Sequence, residues 1–347
     1  SMKKYLLIVP ALVMVSCHHS GVMQDVSVEL ARPEKVVSID CDTTFCDNFS
    51  EILNCFRLQI VNDTILVVQE QTNNANVYNF KAYSVNGFNY MGAFARNGRG
   101  PGEMIRPHVA SCSNARYLNM NLNSEGKAYA VNVEETLQHG KLSIVKDYIL
   151  PAGTIDWLPL PDLRQFVLQS EKGCITFRYI GMNNEVSDTF ELNKSIDKEN
   201  FVAYLSSVMA SNLNNGKVVD AMIFFPQINI FDTEKGTLKS VAVDEAYSKW
   251  ESVISMAIGT DTKQYYVSAA TSQDYIFAAY KGVSLEDLMK GGLGTSIHVF
   301  DWEGNFLYDI KVEEDIEDMT FDNRTMHLYC IEKSERNIVR YDLSELL

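Results

Sequence analysis

The residues best suited to chemistry lie in one short stretch of the chain. Arg99, Glu103, Arg106 and His108 fall within and just after a glycine-rich run, Gly98 to Gly102. Together they supply two guanidinium groups, a carboxylate and an imidazole that titrates near neutral pH. We expect these side chains to gather at the mouth of a central funnel and to form a binding site there. The structural alternative is an ion pair between Arg99 and Glu103 that only braces the connection.

Elsewhere the sequence lacks the common catalytic and metal-binding patterns. It contains no Gly-x-Ser-x-Gly elbow, no phosphate-binding loop that ends in Gly-Lys-Ser/Thr, no complete calcium loop and no Cys or His pair at zinc spacing. His298 and His327 lie inside strand-like runs, so we expect both to be structural. The sequence therefore predicts no metal and no cofactor, and it leaves open whether the chain is an enzyme.

The N-terminus has the pattern of an export signal. Lys3 and Lys4 precede an apolar run of ten residues from Leu6 to Val15. This run has the length of a signal-peptide core and is shorter than the roughly 20 residues that span a bilayer. Cys17 follows a small residue, as in a lipobox, so we expect it to carry a lipid anchor. The alternative is an ordinary secretory signal with an incidental cysteine.

Composition restricts the compartment and the partners. The formal net charge of −15 disfavours binding to nucleic acid and to anionic lipid headgroups, so membrane contact is expected through the lipid anchor only. If Cys17 is lipidated, an even number of the seven cysteines remains for an oxidising compartment. Cys41 and Cys46 are close enough in sequence to bridge, whereas Cys174 and Cys330 are expected to be buried thiols.

The body of the chain consists of short strand-like runs that repeat. A motif of apolar-x-Phe/Tyr-polar followed by a turn is clearest at Ala82 to Gly87, Ile230 to Gly236 and Val299 to Asn305. Looser copies include Arg178-Tyr179, Arg340-Tyr341-Asp342 and a weak one near Val145. Six copies at roughly 40–50 residues predict an all-β, six-bladed β-propeller with four-stranded antiparallel blades.

This organisation gives three regions and several local expectations. Residues 1–17 form the signal with its lipobox Cys, 18–33 a flexible tether and 34–347 the propeller. The run Glu34 to Asp40 should add to the last blade, Glu317 to Asp342, and close the ring. An insertion at Lys281 to Thr295 should hold one short helix. Trp157 and Trp250 are expected at exposed loop positions.

The glycine-rich stretch also carries a family resemblance. Gly92 to Met104, followed by Pro107-His108-Val109-Ala110, resembles the NHL repeat. In that repeat the glycine-rich run joins the outer strand of one blade to the inner strand of the next. Together with Ile297 to Asn305, it resembles the TolB-like six-bladed propeller lipoproteins of Gram-negative gut bacteria. The resemblance covers Glu34 to the C-terminus and implies a fold and a compartment rather than a reaction.

Two functions of different classes follow. The first is a cell-envelope lipoprotein, anchored in the outer membrane and facing the periplasm or the cell surface, that binds an envelope protein or a glycan. The second is a propeller enzyme, a lyase or hydrolase, with a site at the funnel mouth near His108 and Arg106. The absence of a recognisable catalytic motif favours binding. Fold analogy supports both, because one fold hosts many functions.

Overall fold

The computed structural model describes residues 21–42, 54–71, 74, 77–171, 174–191 and 207–347. Two strands lie in the N-terminal segment, β1 (Val28–Leu30) and β2 (Lys35–Ser38). Sheet 1 contains β3 (Cys55–Val61), β4 (Ile65–Glu70), β5 (Tyr78–Ser84), β6 (Tyr90–Asn97) and β7 (Glu103–Met104). Sheet 2 contains β8 (His108–Val109), β10 (Leu118–Leu122), β11 (Lys127–Asn132) and β12 (Ser143–Ile149), and β9 (Ser111–Ser113) continues the chain from β8.

Four further sheets follow in chain order. Sheet 3 contains β13 (Thr154–Pro159), β14 (Gln165–Glu171), β15 (Cys174–Ile180) and β16 (Val186–Glu191). Sheet 4 contains β17 (Ser207–Asn212), β18 (Lys217–Met222), β19 (Gln227–Asp232) and β20 (Thr237–Ala242). Sheet 5 contains β21 (Lys263–Thr271), β22 (Tyr275–Ser284), β23 (Thr295–Asp301) and β24 (Phe306–Val312), and sheet 6 contains β25 (Ile316–Asp322), β26 (His327–Glu332) and β27 (Ile338–Asp342).

These sheets confirm the predicted all-β propeller. Within the sheets, successive strands pair as antiparallel neighbours, except that the short β7 pairs in parallel with β6. The inner strands β17, β21, β25 and β3 contact one another in that order. Five sheets have four or more strands, while sheet 6 has three and gains an antiparallel bridge from Asp42 to Arg340. The last blade therefore lies where the sequence placed it.

The repeated motif marks the third strand of a blade in five sheets. It falls on β5, β15, β19, β23 and β27. The weak copy near Val145 is wrong by one strand, because Val145 lies in β12, the fourth strand of sheet 2. The third strand there is β11, which leads into a helix instead of a tight hairpin turn. The turn signal that identifies the other copies is therefore missing after β11.

The N-terminal segment runs along the outer edges of several blades, and this corrects two expectations. Val28–Leu30 pairs in parallel with β20 of sheet 4, and Lys35–Ser38 pairs in parallel with β24 of sheet 5. The run Glu34 to Asp40 thus joins the fifth blade rather than the last one, which only Asp42 reaches. Residues 21–33 are not the expected flexible tether, since Val22 and Met23 are each 1% exposed.

Short helices occupy the connections. They are α1 (Val133–His139), α2 (Trp250–Ile254) and α3 (Leu285–Lys290), with 3-10 turns at Asn123–Glu125, Pro161–Leu163 and Glu245–Lys249. Helix α3 confirms the inserted helix, and the Ser284 side chain caps it by accepting a hydrogen bond from the backbone N of Asp287 at 3.1 Å.

The core lies between adjacent blades, where aromatic side chains from facing sheets interlock. Trp157 and Trp250 are 0% and 3% exposed, so their expected loop positions are wrong. Trp157 lies in β13 and its Nε1 donates to Gln165 Oε1 at 3.0 Å, which satisfies the indole inside the core. Cys330 is buried as predicted. Cys46 and the side chain of Cys174 lie outside the described part, so the proposed Cys41–Cys46 bridge stays a prediction.

Candidate functional site

The inner strands bring one polar side chain from each blade to the centre of the ring. We call this set the polar ring; it consists of Arg57, His108, Asp156, Ser207, Ser268 and Asp318, from β3, β8, β13, β17, β21 and β25 respectively. Side chains alternate between the two faces of a strand, so each inner strand can direct only some positions toward its neighbours at the axis. The ring is consequently assembled from residues far apart in sequence.

One half of the polar ring is a closed ionic cluster. Arg57 Nη1 lies 2.8 Å from Asp318 Oδ1, and Ser268 Oγ donates to the same oxygen at 3.1 Å. Asp318 Oδ2 accepts from the backbone N of Leu58 at 2.8 Å. The guanidinium charge of Arg57 is therefore balanced by Asp318.

The other half is looser. His108 Nε2 lies 3.9 Å from Asp156 Oδ1, which is too long for a hydrogen bond. Asp156 Oδ1 accepts from the backbone N of Trp157 at 2.8 Å. The side chain of His108 is 37% exposed. Desolvation lowers the pKa of the imidazole, and the charge of Arg57 lowers it further, whereas the charges of Asp156 and Asp318 raise it. His108 is thus neutral at pH 7 and can accept or donate a hydrogen bond.

A buried acid stands behind Ser207. Asp220, in β18, is 0% exposed, and its Oδ2 accepts from Asn229 Nδ2 at 2.8 Å. Burial raises the pKa of Asp220 to about 6. Interactions with the side chains of Ser207 and Asn229 lower this pKa, and the negative charge of Asp156 raises it. The side chains of Ser207 and Asp220 interact with each other, although not with the geometry of a good hydrogen bond. Asp220 is enclosed, so of these two residues only Ser207 is a candidate for contact with a ligand.

Four of the six polar-ring residues line a cavity of about 360 Å³, which we call the channel cavity. Its polar lining includes Arg57, His108, Asp156 and Ser207, and its apolar lining includes Ile155, Leu158 and Met209. β9 pairs in parallel with β17 and so belongs to sheet 4, and Ser111 of β9 and Met209 of β17 both line the cavity. Thr271 Oγ1 of β21 donates to the backbone O of Ser211 at 2.8 Å and links the next inner strand to β17.

A second, larger cavity of about 1060 Å³ adjoins the channel cavity, and we call it the vestibule. The two cavities share His108 and Asn123. All four residues singled out from the sequence, Arg99, Glu103, Arg106 and His108, line the vestibule. The structure therefore brings them together, and only His108 among them also reaches the channel cavity. Their role as a binding site remains a prediction.

The glycine-rich connection holds the vestibule wall. As predicted, it joins the outer strand of blade 1 (β6) to the inner strand of blade 2 (β8). Glu103 braces it by accepting from the backbone N of Gly100 at 2.7 Å, instead of through the alternative ion pair with Arg99. A Cβ atom on residue 98 would come within 2.0 Å of Glu103 Oε2, so the position of Glu103 requires glycine there.

Sequence reasoning missed most of the polar ring. Arg57, Asp156, Ser207 and Asp318 belong to different blades and share no local motif. The one available signal was their common place, since each lies near the start of the first strand of its blade. Within the described ranges, no group of three or more His, Cys, Asp or Glu residues is arranged to hold a metal ion. A search of the same residues finds no helix with the length and apolar character needed to cross a bilayer.

Comparison with known proteins decides the family. The model of a family described as TolB-like 6-blade propeller-like matches residues 32–324. The chain belongs to this family. No curated protein matches the sequence.

Two solved structures resemble this TolB-like propeller. A member of the DUF4221 family from Bacteroides vulgatus is 13% identical, with a TM-score of 0.52 over 84% of this chain and 92% of the other. A Bacteroides fragilis protein inferred to be exported is 12% identical, with a TM-score of 0.51 over 90% of this chain and 93% of the other. At these identities the likeness shows the fold alone. A propeller of this kind is a scaffold suited to protein binding or other interactions.

Proposed function

We propose that this TolB-like propeller is an exported binding protein whose ligand enters the channel cavity through the vestibule. The observation that carries the proposal is the polar ring. Side chains from four blades converge on one partly apolar cavity, namely Arg57, His108, Asp156 and Ser207. Convergent polar groups in such a cavity are typical of ligand sites.

The cavity volumes indicate how the ligand is held. The channel cavity, at about 360 Å³, lies at the low end of the roughly 300–1,000 Å³ of small-molecule sites. It fits one residue of a glycan or one side chain of a protein partner. The vestibule, at about 1060 Å³, has room for the neighbouring part of the ligand. The ligand is accordingly a glycan or an envelope protein that inserts one end group.

The proposed location is the outer membrane, through a lipid on Cys17, with the propeller facing the periplasm or the cell surface. The inferred export of the Bacteroides fragilis relative supports secretion. Gly21 is already buried in the propeller, and four residues extend to at most about 14 Å. An anchor on Cys17 would therefore hold the body close to the bilayer. Globomycin treatment or Cys17→Ser should block lipid processing, and unchanged processing would contradict the anchor.

The test of the binding site uses two histidine variants. His108→Trp places an indole where the two cavities meet, and it should abolish binding of ligands found on glycan arrays or in envelope pull-downs. His139→Trp is the matched control, since His139 is exposed at the end of α1 and lines neither cavity. Equal binding by the two variants would refute the channel as the site.

A second candidate function rests on His108 and Asp156. A neutral imidazole 3.9 Å from a carboxylate is placed to act as a general base, because closure around a substrate can shorten such a contact. The reaction would be a lyase or hydrolase step at the funnel mouth. If an activity is found and His108→Ala leaves its rate unchanged, this alternative is rejected.

A further inference from the structure

We propose that the end group that enters the channel cavity is a primary alkylammonium, and that the Asp156 carboxylate is its counter-ion. This inference rests on the proposed function, because it takes the channel cavity to be the binding site. It goes further by assigning the charge and the hydrogen-bonding character of the group that the cavity accepts.

The balance of charge around the cavity carries the first step. Arg57 is neutralised by Asp318 at 2.8 Å, and His108 is neutral. Asp156 is left with one backbone hydrogen bond and, among the described residues, no Lys or Arg nitrogen within 4 Å. Asp220 adds a second carboxyl immediately behind Ser207. The cavity consequently carries an excess of negative charge, which disfavours a carboxylate, sulfate or phosphate ligand.

The acceptors that line the cavity carry the second step. The Asp156 carboxylate and Ser207 Oγ both line it, and the hydroxyl can accept as well as donate. An ammonium group has three donors and no acceptor, so it complements these two acceptors. A neutral hydroxyl would complement the acceptors less well, because it offers a single donor and gains no charge interaction.

The apolar lining carries the third step. Ile155, Leu158 and Met209 line the cavity beside the polar ring. Lysine-like groups place their methylene stems along apolar surface while the charged head contacts polar atoms. A lysine side chain of a protein partner satisfies this arrangement, and an amino sugar shares the ammonium. The experiment distinguishes these two sources.

The test measures binding of matched probes to the full chain by calorimetry. One set is the methylamide of Nα-acetyl-lysine and its Nε-acetylated form; the other is glucosamine, N-acetylglucosamine and glucuronate. We expect the amine in at least one set to bind tenfold or more tightly than its acetylated partner, and glucuronate to bind weakest. The set that shows this preference identifies the source of the ammonium.

Two aspartate variants make the test specific. Asp156→Asn keeps an acceptor for the backbone N of Trp157 and removes the charge, so it should reduce the amine preference at least fivefold. Asp147→Asn is the control, since Asp147 is exposed on β12. Channel-dependent binding without an amine preference would overturn this inference and leave the proposed function standing. If every probe fails to bind at 10 mM, the ammonium assignment is wrong. The proposed function is refuted separately, if His108→Trp does not affect the binding seen on glycan arrays or in envelope pull-downs.

Discussion

Replacing Asp220 with asparagine should make the protein more stable at neutral pH. Asp220 is 0% exposed, and burial raises its pKa from 3.8 to about 6. The folded state therefore penalises the ionised carboxyl at every pH above about 6. A difference of about two pKa units corresponds to roughly 3 kcal/mol. The amide removes this penalty and can still accept from Asn229. We expect a net gain of about 1–3 kcal/mol, because the hydrogen bond from Asn229 loses its charge assistance.

The sign of the pH dependence separates this explanation from simple repacking. Below pH 3.8 the carboxyl of Asp220 is protonated in both the folded and the unfolded chain, so the penalty and the gain both disappear. Urea unfolding of the wild type, Asp220→Asn and the control Asp147→Asn at pH 7.5 and pH 4 measures the effect. A variant that is less stable than the wild type at pH 7.5, or equally stabilised at both pH values, would refute the reasoning.

Three further predictions concern stability and can be measured by urea unfolding. Lys281→Met leaves Asp315 buried without its partner at 2.6 Å, so it should cost about 3–5 kcal/mol; a loss below 1 kcal/mol would contradict a buried pair. Gly98→Ala should cost about 1 kcal/mol, because the added Cβ displaces the Glu103 carboxylate from the backbone N of Gly100 at 2.7 Å. The same substitution in a Glu103→Ala background should cost no stability, and equal costs in both backgrounds would exclude this mechanism. Burial lowers the pKa of His298 to about 3, so protonation of the unfolded state should cost roughly 2–3 kcal/mol of stability between pH 6.5 and 4.5. His298→Asn should remove this loss, and an unchanged pH profile would argue against it.

The fold was largely predictable because its signals are local. Alternating strands and tight turns repeat in each blade, so the third strands could be recognised from motifs such as Val299 to Asn305. The prediction failed at Val145, where α1 replaces the turn after β11. It also failed for Trp157, because its neighbours Asp156 and Pro159 suggested a loop while the indole packs in the core between blades.

The path of the N-terminal segment could not be predicted for a different reason. Strand addition at a sheet edge depends on which edge lies within reach of the chain, and the hydrophobic pattern of Lys35–Ser38 is compatible with any blade. The segment Lys35–Ser38 pairs with sheet 5 because β1 already pairs with sheet 4, and the short link from Leu30 to Lys35 reaches only the next blade. The segment therefore reaches the last blade only at Asp42.

The sequence predicted the residues of the vestibule but, apart from His108, not those of the polar ring, and the reason lies in how a propeller is assembled. The vestibule residues are neighbours in the chain, whereas each member of the polar ring comes from a different blade. Asp220 gives a reason to assign the polar ring a function. A fully buried acid whose pKa is raised costs stability, and natural proteins retain such costs mainly where a site needs them. If Asp220 holds Ser207 in position for the ligand, Asp220→Asn should stabilise the protein and also weaken amine binding, a combination that a purely structural role does not produce.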